Sequence, residues 1–256
     1  MQREFPQEVI DDLIDWVSVS SIGNRDPDLR ACSLVALGWV ERSRRHLFYS
    51  VKLASTPDIR RWVTHIRPGA GGASRHVKKL WIDLGWEQWS QRFSSVEHLK
   101  SFVHVQDLRL AYWSCGEAGN GEVEEAFGGL GQSVRSLSFS LPRGDPGSFL
   151  HLLSLFRHLD NLSVLTSCLE EASEPLPRDV VTVRGILVLD GVQEHFLNAL
   201  VGDGLRPKVL KVSIPNLTSF EGLLAACAPS VEVICLSPTD GQWCGTILLP
   251  QSLNVC

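Results

Sequence analysis

The chain has no apolar run approaching the roughly 18 residues that a membrane-crossing helix needs, which excludes a helical span. Its first residues, Met1-Gln2-Arg3-Glu4-Phe5-Pro6, lead into acidic residues rather than an apolar stretch, so no secretory leader is expected. Catalytic signatures are missing too: G-x-S-x-G, a Walker A loop, H-E-x-x-H and C-x-x-C do not occur. The seven cysteines (Cys32, Cys115, Cys168, Cys227, Cys235, Cys244 and Cys256) are scattered and odd in number. Cys227, Cys235 and Cys244 stand too far apart to act as the tight pairs that clamp zinc. The expectation is a reduced, intracellular chain, cytoplasmic or nuclear, with buried thiols and neither metal nor other cofactor. Gly69-Ala70-Gly71-Gly72 follows a helical pattern and precedes a strand, the wrong order for a phosphate cradle, and reads as a surface turn. Arg143-Gly144-Asp145, followed by Pro146-Gly147, reads as an ordinary turn. The eight histidines are dispersed, so an enzyme remains open only if its groups converge in space.

What is present is a chain that can fold. Of 256 residues, 44% are hydrophobic and 21% charged, enough for a substantial core in one large domain or two smaller ones. The net charge of −5 is unevenly spread. Residues 1–80 carry 13 Lys/Arg against 9 Asp/Glu, a balance of +4, while the rest carries 11 against 20, a balance of −9. The acidic larger part argues against a nucleic-acid channel, which needs the opposite sign.

The first fifty residues read as three short helices. Pro6 suits the first helical position, and Val9, Ile10, Leu13, Ile14 and Val17 form an apolar stripe against Glu8, Asp11, Asp12 and Asp15. Residues 18–24 break the pattern and predict a loop. Asp26-Pro27 then predicts an N-cap and the start of a second helix carrying Leu29, Cys32, Leu34 and Val35. A third helix is expected from Trp39 to Phe48, with Arg42, Arg44, Arg45 and His46. Three helices this short bury little and need a neighbour.

Phe5-Pro6-x-Glu8-Val9-Ile10-x-x-Leu13-Ile14, then Leu34-Val35-x-x-x-Trp39, then Arg44-Arg45-His46-Leu47-Phe48, resembles an F-box. Leu29-Arg30-Ala31-Cys32-Ser33-Leu34-Val35 with Arg44-Arg45-His46-Leu47-Phe48 is similar to F-box-like proteins of mushroom-forming fungi in particular, with a longer segment at residues 18–27 than the family's short link. The resemblance implies docking to a Skp-type adaptor, and through it to a cullin, by way of Phe5, Pro6, Val9, Ile10, Leu13, Leu34, Val35 and Trp39. An aliphatic helix face with a Trp anchor and an arginine rim suits such an interface. Some of these side chains must also hold the helices together, and a helical bundle without a partner is the alternative.

Beyond residue 50 the pattern is periodic. Val77-x-x-Leu80-x-Ile82, Val105-x-x-Leu108-x-Leu110, Val134-x-x-Leu137-x-Phe139, Leu159-x-x-Leu162-x-Val164, Val183-x-x-Ile186-x-Val188 and Val231-x-x-Ile234-x-Leu236 share one shape. Leu210-x-Val212-x-Ile214 is a copy without the first position. Anchors at 80, 108, 137, 162, 186, 210 and 234 step by 24 to 29 residues, within the range of leucine-rich repeats. Helices are predicted over 57–66, 89–102, 122–127, 149–159, 193–201 and 220–228, and an acidic loop over 166–182. The repeat asparagine of that family is missing from every copy, and no polar capping helix follows the last anchor.

These observations predict an α/β chain: a three-helix F-box-like unit over residues 1–50 and an irregular leucine-rich-repeat solenoid of parallel strands over 51–256. An open parallel sheet is the alternative fold. Lys79, Trp81, Asp83, Asp107, Arg109, Ser136, Ser138, Lys211 and Ser213 are expected to point outward on the strands and offer a protein-binding wall. Trp81, Asp83, Arg109, Tyr112 and Trp113 are the expected target contacts, although aromatic clusters such as this one, which also includes Trp86 and Trp89, are more often core. The function expected is non-catalytic: a substrate-recognition subunit of a Skp–cullin–F-box ubiquitin ligase, holding an unknown protein target, with no nucleic acid or membrane as partner. A plain interaction scaffold and an unrecognised α/β enzyme are the rivals.

Overall fold

A computed structural model describes residues 6–20, 25–65, 72–83, 97–115, 120–165, 168–169, 181–192, 196–197, 200, 205–213, 220–237 and 245–248. Three helices lead: α1 (Gln7–Ser20), α2 (Arg25–Val35) and α3 (Leu37–Leu47). The Pro6 carbonyl accepts the Val9 and Ile10 N–H groups at 3.1 and 3.3 Å, so proline stands just ahead of the first turn, where its missing N–H costs nothing. α1 runs through the expected break at Ser18 to Ser20. The Ser18 hydroxyl donates to the Asp15 carbonyl at 2.7 Å, a local bond that lets serine stay in the helix. The rest of that predicted loop, residues 21–24, lies outside the described residues. α2 begins at Arg25, so Asp26 falls within its first turn, where an acid suits the helix dipole, rather than at its cap.

The helices share a small core of Ile14, Leu29 and Ser43. None of these belongs to the main hydrophobic cluster, which starts at Val51. Ionic contacts supplement it. The Asp15 carboxylate takes the Arg42 guanidinium through both oxygens, with Arg42 Nε at 2.7 Å, and His46 Nε2 also lies 2.7 Å from Asp15 Oδ1. Arg75 and His76, in a short 3-10 helix (Ala73–His76), meet Glu41 of α3 at 2.6 and 3.4 Å and tie the helices to the segment entering the sheet.

The described residues of the rest form twelve strands: β1 (Ser50–Leu53), β2 (Lys79–Asp83), β3 (Asp107–Ala111), β4 (Ser114–Cys115), β5 (Ser136–Ser140), β6 (Arg143–Gly144), β7 (His158–Leu165), β8 (Cys168–Leu169), β9 (Thr182–Asp190), β10 (Val209–Ser213), β11 (Val233–Ser237) and β12 (Gly245–Leu248). β1, β2, β3, β5, β7, β9, β10 and β11 form one parallel sheet, in the order in which the chain makes them. β12 adds antiparallel to β11 and covers that sheet edge with a strand, not a capping helix. β4, β6 and β8 form a second, narrow parallel ladder. The protein is therefore of the α/β class. Connecting helices are α4 (Thr56–His65), α5 (Asn120–Phe127), α6 (Pro146–Ser154) and α7 (Phe220–Cys227), with a 3-10 helix at Glu97–Ser101. Among the described residues no helix is long and apolar enough to cross a membrane.

Period-two alternation in each strand buries one side chain and turns the next away. Val51, Leu80, Leu108, Leu137, Leu162, Leu187, Leu210 and Ile234 stand in one register row, each paired with the next and all buried. Buried helix residues such as Val123, Phe127, Phe149 and Leu223 join the same cluster, so the helices cover this face and leave the other open. Strand entries repeat as well: one carbonyl accepts two successive N–H groups of the next strand, as Tyr49 does from Lys78 and Lys79 and Gln106 from Arg135 and Ser136, all at 2.9 Å. Strand exits repeat a left-handed residue. Tyr112 (φ 55°), Leu141 (φ 54°) and Gly191 (φ 62°) each follow the last strand residue and donate to the strand beyond, at 2.8, 2.9 and 3.2 Å. Two of the three are not glycine, so the ladder bond holds a conformation that their Cβ atoms oppose.

The structure departs from the sequence pattern at several positions. The fifth copy is Val183-x-x-x-Leu187-x-Leu189: a bulge between β7 and β9 shifts the register, burying Leu187 and Leu189 and leaving Ile186 exposed. Gly185 permits the close approach, since a Cβ there would meet the Asp160 carbonyl oxygen at 2.6 Å. The copy around Leu210 does not lack its first position, because Pro207 is buried there and Leu205 bridges to Val183. An extra copy, Phe48-x-x-Val51-x-Leu53, precedes all of those expected. The helix predicted over 149–159 ends at Ser154, and β7 already begins at His158. Arg143-Gly144 is β6 rather than a turn, and Asp145 is the N-cap of α6: its carboxylate accepts the Ser148 N–H at 2.7 Å and the Ser148 hydroxyl at 2.9 Å. Burial alone would raise the Asp145 carboxyl, but these bonds and the Gly147 N–H outweigh it and hold it below its usual range.

Candidate docking surfaces

Two exposed surfaces stand out, one on the helices and one on the sheet. On α1 the apolar residues divide into two stripes about 100° apart at 3.6 residues per turn. Ile10, Ile14 and Val17 turn inward, with Ile14 fully buried. Val9, Leu13 and Trp16 turn outward, and Trp16 is 67% exposed. At the α2–α3 turn Leu34, Val35 and Leu37 are 85%, 63% and 92% exposed. The Gln7 amide donates to the Gly38 carbonyl at 3.2 Å and sets that turn beside the first turn of α1. Pro6 is exposed, whereas Ile10 and Trp39 are half-buried and serve packing and surface together. Phe5 lies outside the described residues. Of the eight expected adaptor contacts, five (Pro6, Val9, Leu13, Leu34 and Val35) are thus exposed, and Trp16, Val19 and Leu37 extend the patch. Large aliphatic side chains this open are costly unless something covers them.

Asp15 lies away from this ridge and fixes α1 against α3. The Arg42 guanidinium holds its carboxyl down to about 2, against a burial effect that would raise it, and His46 adds to the lowering. The ridge therefore rests on a small apolar core and an ion pair.

On the sheet, the uncovered face shows a graded row structure. One register row reads Ser50, Lys79, Asp107, Ser136, Asn161, Ile186, Val209, Val233; the next reads Lys52, Trp81, Arg109, Ser138, Ser163, Val188, Lys211, Cys235. Charged and aromatic groups occupy β1–β3, hydroxyls β5–β7, and mainly aliphatic groups β9–β11. Of the expected target contacts, Trp81, Asp83 and Arg109 meet in one place. Lys52 Nζ sits 4.1 Å from the centre of the Trp81 ring and 3.2 Å from Asp83 Oδ2, a cation–π contact backed by an ion pair. Arg109 Nε approaches Asp107 Oδ1 at 3.6 Å. Ser50, Lys79, Leu80, Trp81, Asp107 and Arg109 line an open hollow of about 150 Å³. Tyr112 is exposed just past β3. Trp113 is not part of this face: it is 1% exposed and packs edge-on against Phe127, with centroids 5.5 Å apart, because the left-handed turn at Tyr112 redirects the chain. Ser213 is likewise buried rather than outward. Trp86 and Trp89 lie outside the described residues. Lys52 and Lys79 lay beyond the expected target set, although charged residues alternating with a buried leucine already mark that face.

No known family model matches the chain, and no curated protein matches it in sequence.

Proposed function

We propose that the protein is the target-recognition subunit of a Skp–cullin–F-box-type ubiquitin ligase. In this reading the three helices are an F-box that docks to the adaptor, and the sheet is a leucine-rich-repeat-type solenoid that holds a target protein. The chain carries no catalysis; its contribution is proximity and orientation of the target relative to a ubiquitin-charged enzyme. One observation carries the reading: large, exposed apolar side chains on α1 and on the α2–α3 turn of a helical unit whose small core is separate from that of the sheet. Five of the eight residues quoted for adaptor docking, Pro6, Val9, Leu13, Leu34 and Val35, are exposed there, and burying a Leu or Val side chain contributes about 1.5–3 kcal/mol each. Strand order, the repeated strand entries and exits, and one connection per strand support the solenoid reading over a doubly wound sheet, whose order reverses at a switch point.

The test is a binding measurement between the full chain and a purified Skp-type adaptor. Wild type is expected to bind, and Leu34→Asp and Val35→Asp, both at exposed positions, are expected to abolish binding while unfolding at the wild-type temperature. A wild-type chain that does not bind the adaptor refutes the ligase role and leaves an interaction scaffold. Binding that survives both substitutions refutes the assigned ridge.

A further inference from the structure

The hollow on β1–β3 has a charge balance that defines a ligand. Three ionised groups line it: Lys79, Arg109 and Asp107. Lys52 and Asp83 lie beside it and neutralise each other at 3.2 Å. Arg109 Nε lies 3.6 Å from Asp107 Oδ1, longer than a hydrogen bond, and the guanidinium carries five N–H donors with which to meet a second acceptor. Lys79 has no carboxylate in ion-pair range among the described residues; its ammonium lies 5.8 Å from the Tyr49 ring centre. Lys79 pairs in register with Asp107 and Trp81 with Arg109, so the backbones of the two cationic residues stand on a diagonal, their Cα atoms roughly 8 Å apart by strand spacing and rise. Both side chains line the same hollow of about 150 Å³, with Trp81 as its apolar wall. The indole is held in place by Lys52 at 4.1 Å.

We propose that this hollow seats a single carboxylate of the target, so that the protein recognises an extended acidic segment laid across the sheet. The proposal rests on the reading of this face as the target-binding surface. The net charge of the lining is +1, which one carboxylate neutralises. A phosphoryl group carries about two negative charges and would stand against Asp107, so the same lining disfavours phosphorylated segments. Arg109 supplies the fork geometry that a carboxylate accepts from, and Lys79 supplies the second charge. Past the hollow, the Ser136, Ser138, Ser140 and Ser163 hydroxyls form no hydrogen bond among the described residues and offer donors and acceptors to a peptide main chain.

The experiment uses the full chain and pools of short fluorescein-labelled peptides, randomised except at a fixed central residue: Glu, Gln, phosphoserine or Lys. Binding is read by fluorescence anisotropy. The Glu pool is expected to bind about tenfold more tightly than the Gln pool, the size of one good charge-assisted contact. The phosphoserine and Lys pools are expected to bind more weakly than the Glu pool. Lys79→Gln with Arg109→Gln is expected to remove the preference for Glu, and Asp107→Asn to let the phosphoserine pool equal or overtake it. All three positions are on the open face, so these variants should keep the wild-type unfolding temperature. A second Glu pool with amidated C-termini separates a side-chain carboxylate from a chain end: retained binding assigns the side chain, and lost binding assigns the terminus. Equal binding of Glu and Gln pools, no binding of any pool, or tighter binding of phosphoserine by wild type overturns the proposal. Adaptor binding is measured on the same preparation. Its failure with the Glu preference intact removes the ligase role alone, and the reverse result removes the carboxylate site alone.

Discussion

The ion pair between α1 and α3 can be tested by replacing Asp15 with asparagine, which keeps the shape and removes the charge. Lowering the carboxyl from 3.8 to about 2 sets a ceiling on its contribution. At about 1.36 kcal/mol per pH unit the ceiling is about 2.4 kcal/mol. The Asp15 side chain is 39% exposed, so solvent and salt screen the pair, and about 1 kcal/mol is the expected loss. Because Ile14 and Leu29 form a core apart from that of the sheet, this loss should be local. Hydrogen exchange followed by mass spectrometry reads it directly: about fivefold faster exchange in α1–α3 at neutral pH, with β2 to β11 unchanged. The pH dependence has a fixed sign. The folded-state value lies below the unfolded one, so the stabilisation is complete above about pH 4 and is lost as the pH falls from there to about 2. The Asp15→Asn protein should lack that step. Unchanged protection of α1 in the variant, or protection lost equally across the sheet, would refute the separate, ion-clamped unit.

Ser43→Ala removes a buried hydroxyl without a hydrogen-bond partner among the described residues, and should stabilise the helices by about 1 kcal/mol, read as slower exchange in α3. Gly131→Ala should destabilise by about 1–3 kcal/mol in urea unfolding, because a Cβ there would meet the Leu155 carbonyl oxygen at 2.1 Å and one backbone segment must move. Leu187→Ala should cost about 2–5 kcal/mol and Ile186→Ala less than about 1; the reverse ranking would restore the unbulged register of β9.

That last pair also shows where the sequence was legible and where it was not. Apolar residues spaced at a two-residue interval located β2, β3, β5, β7 and β11, because a strand buried on one face turns every second side chain inward. In β9 the run Ile186-Leu187-Val188-Leu189 is apolar at every position, so alternation carries no phase, and the bulge that sets the phase depends on Gly185 meeting the neighbouring strand's backbone. β1 is hidden because Phe48 reads as the end of the last helix, whereas its side chain packs on the sheet core. Trp113 follows Tyr112 into the expected binding patch, since the left-handed turn between strand and core is invisible when its residues are not glycine.

On α1 the difficulty is different in kind. Val9, Ile10, Leu13, Ile14 and Val17 read as one broad stripe, and breadth alone cannot divide core from surface. The division follows from how little the unit has to bury: two short neighbours cover one arc of α1, with Ile14 at its centre, and the arc from Val9 through Leu13 to Trp16 is left over. Trp16 lies on that leftover arc, one turn beyond Leu13 and two beyond Val9, although a stripe counted from the aliphatic residues alone omits it. A helix whose apolar arc is wider than its own bundle can cover carries surplus hydrophobic surface, and that surplus points to an interface; with Leu34, Val35 and Leu37 bared at the adjoining turn, the same surplus recurs on a second element of the unit.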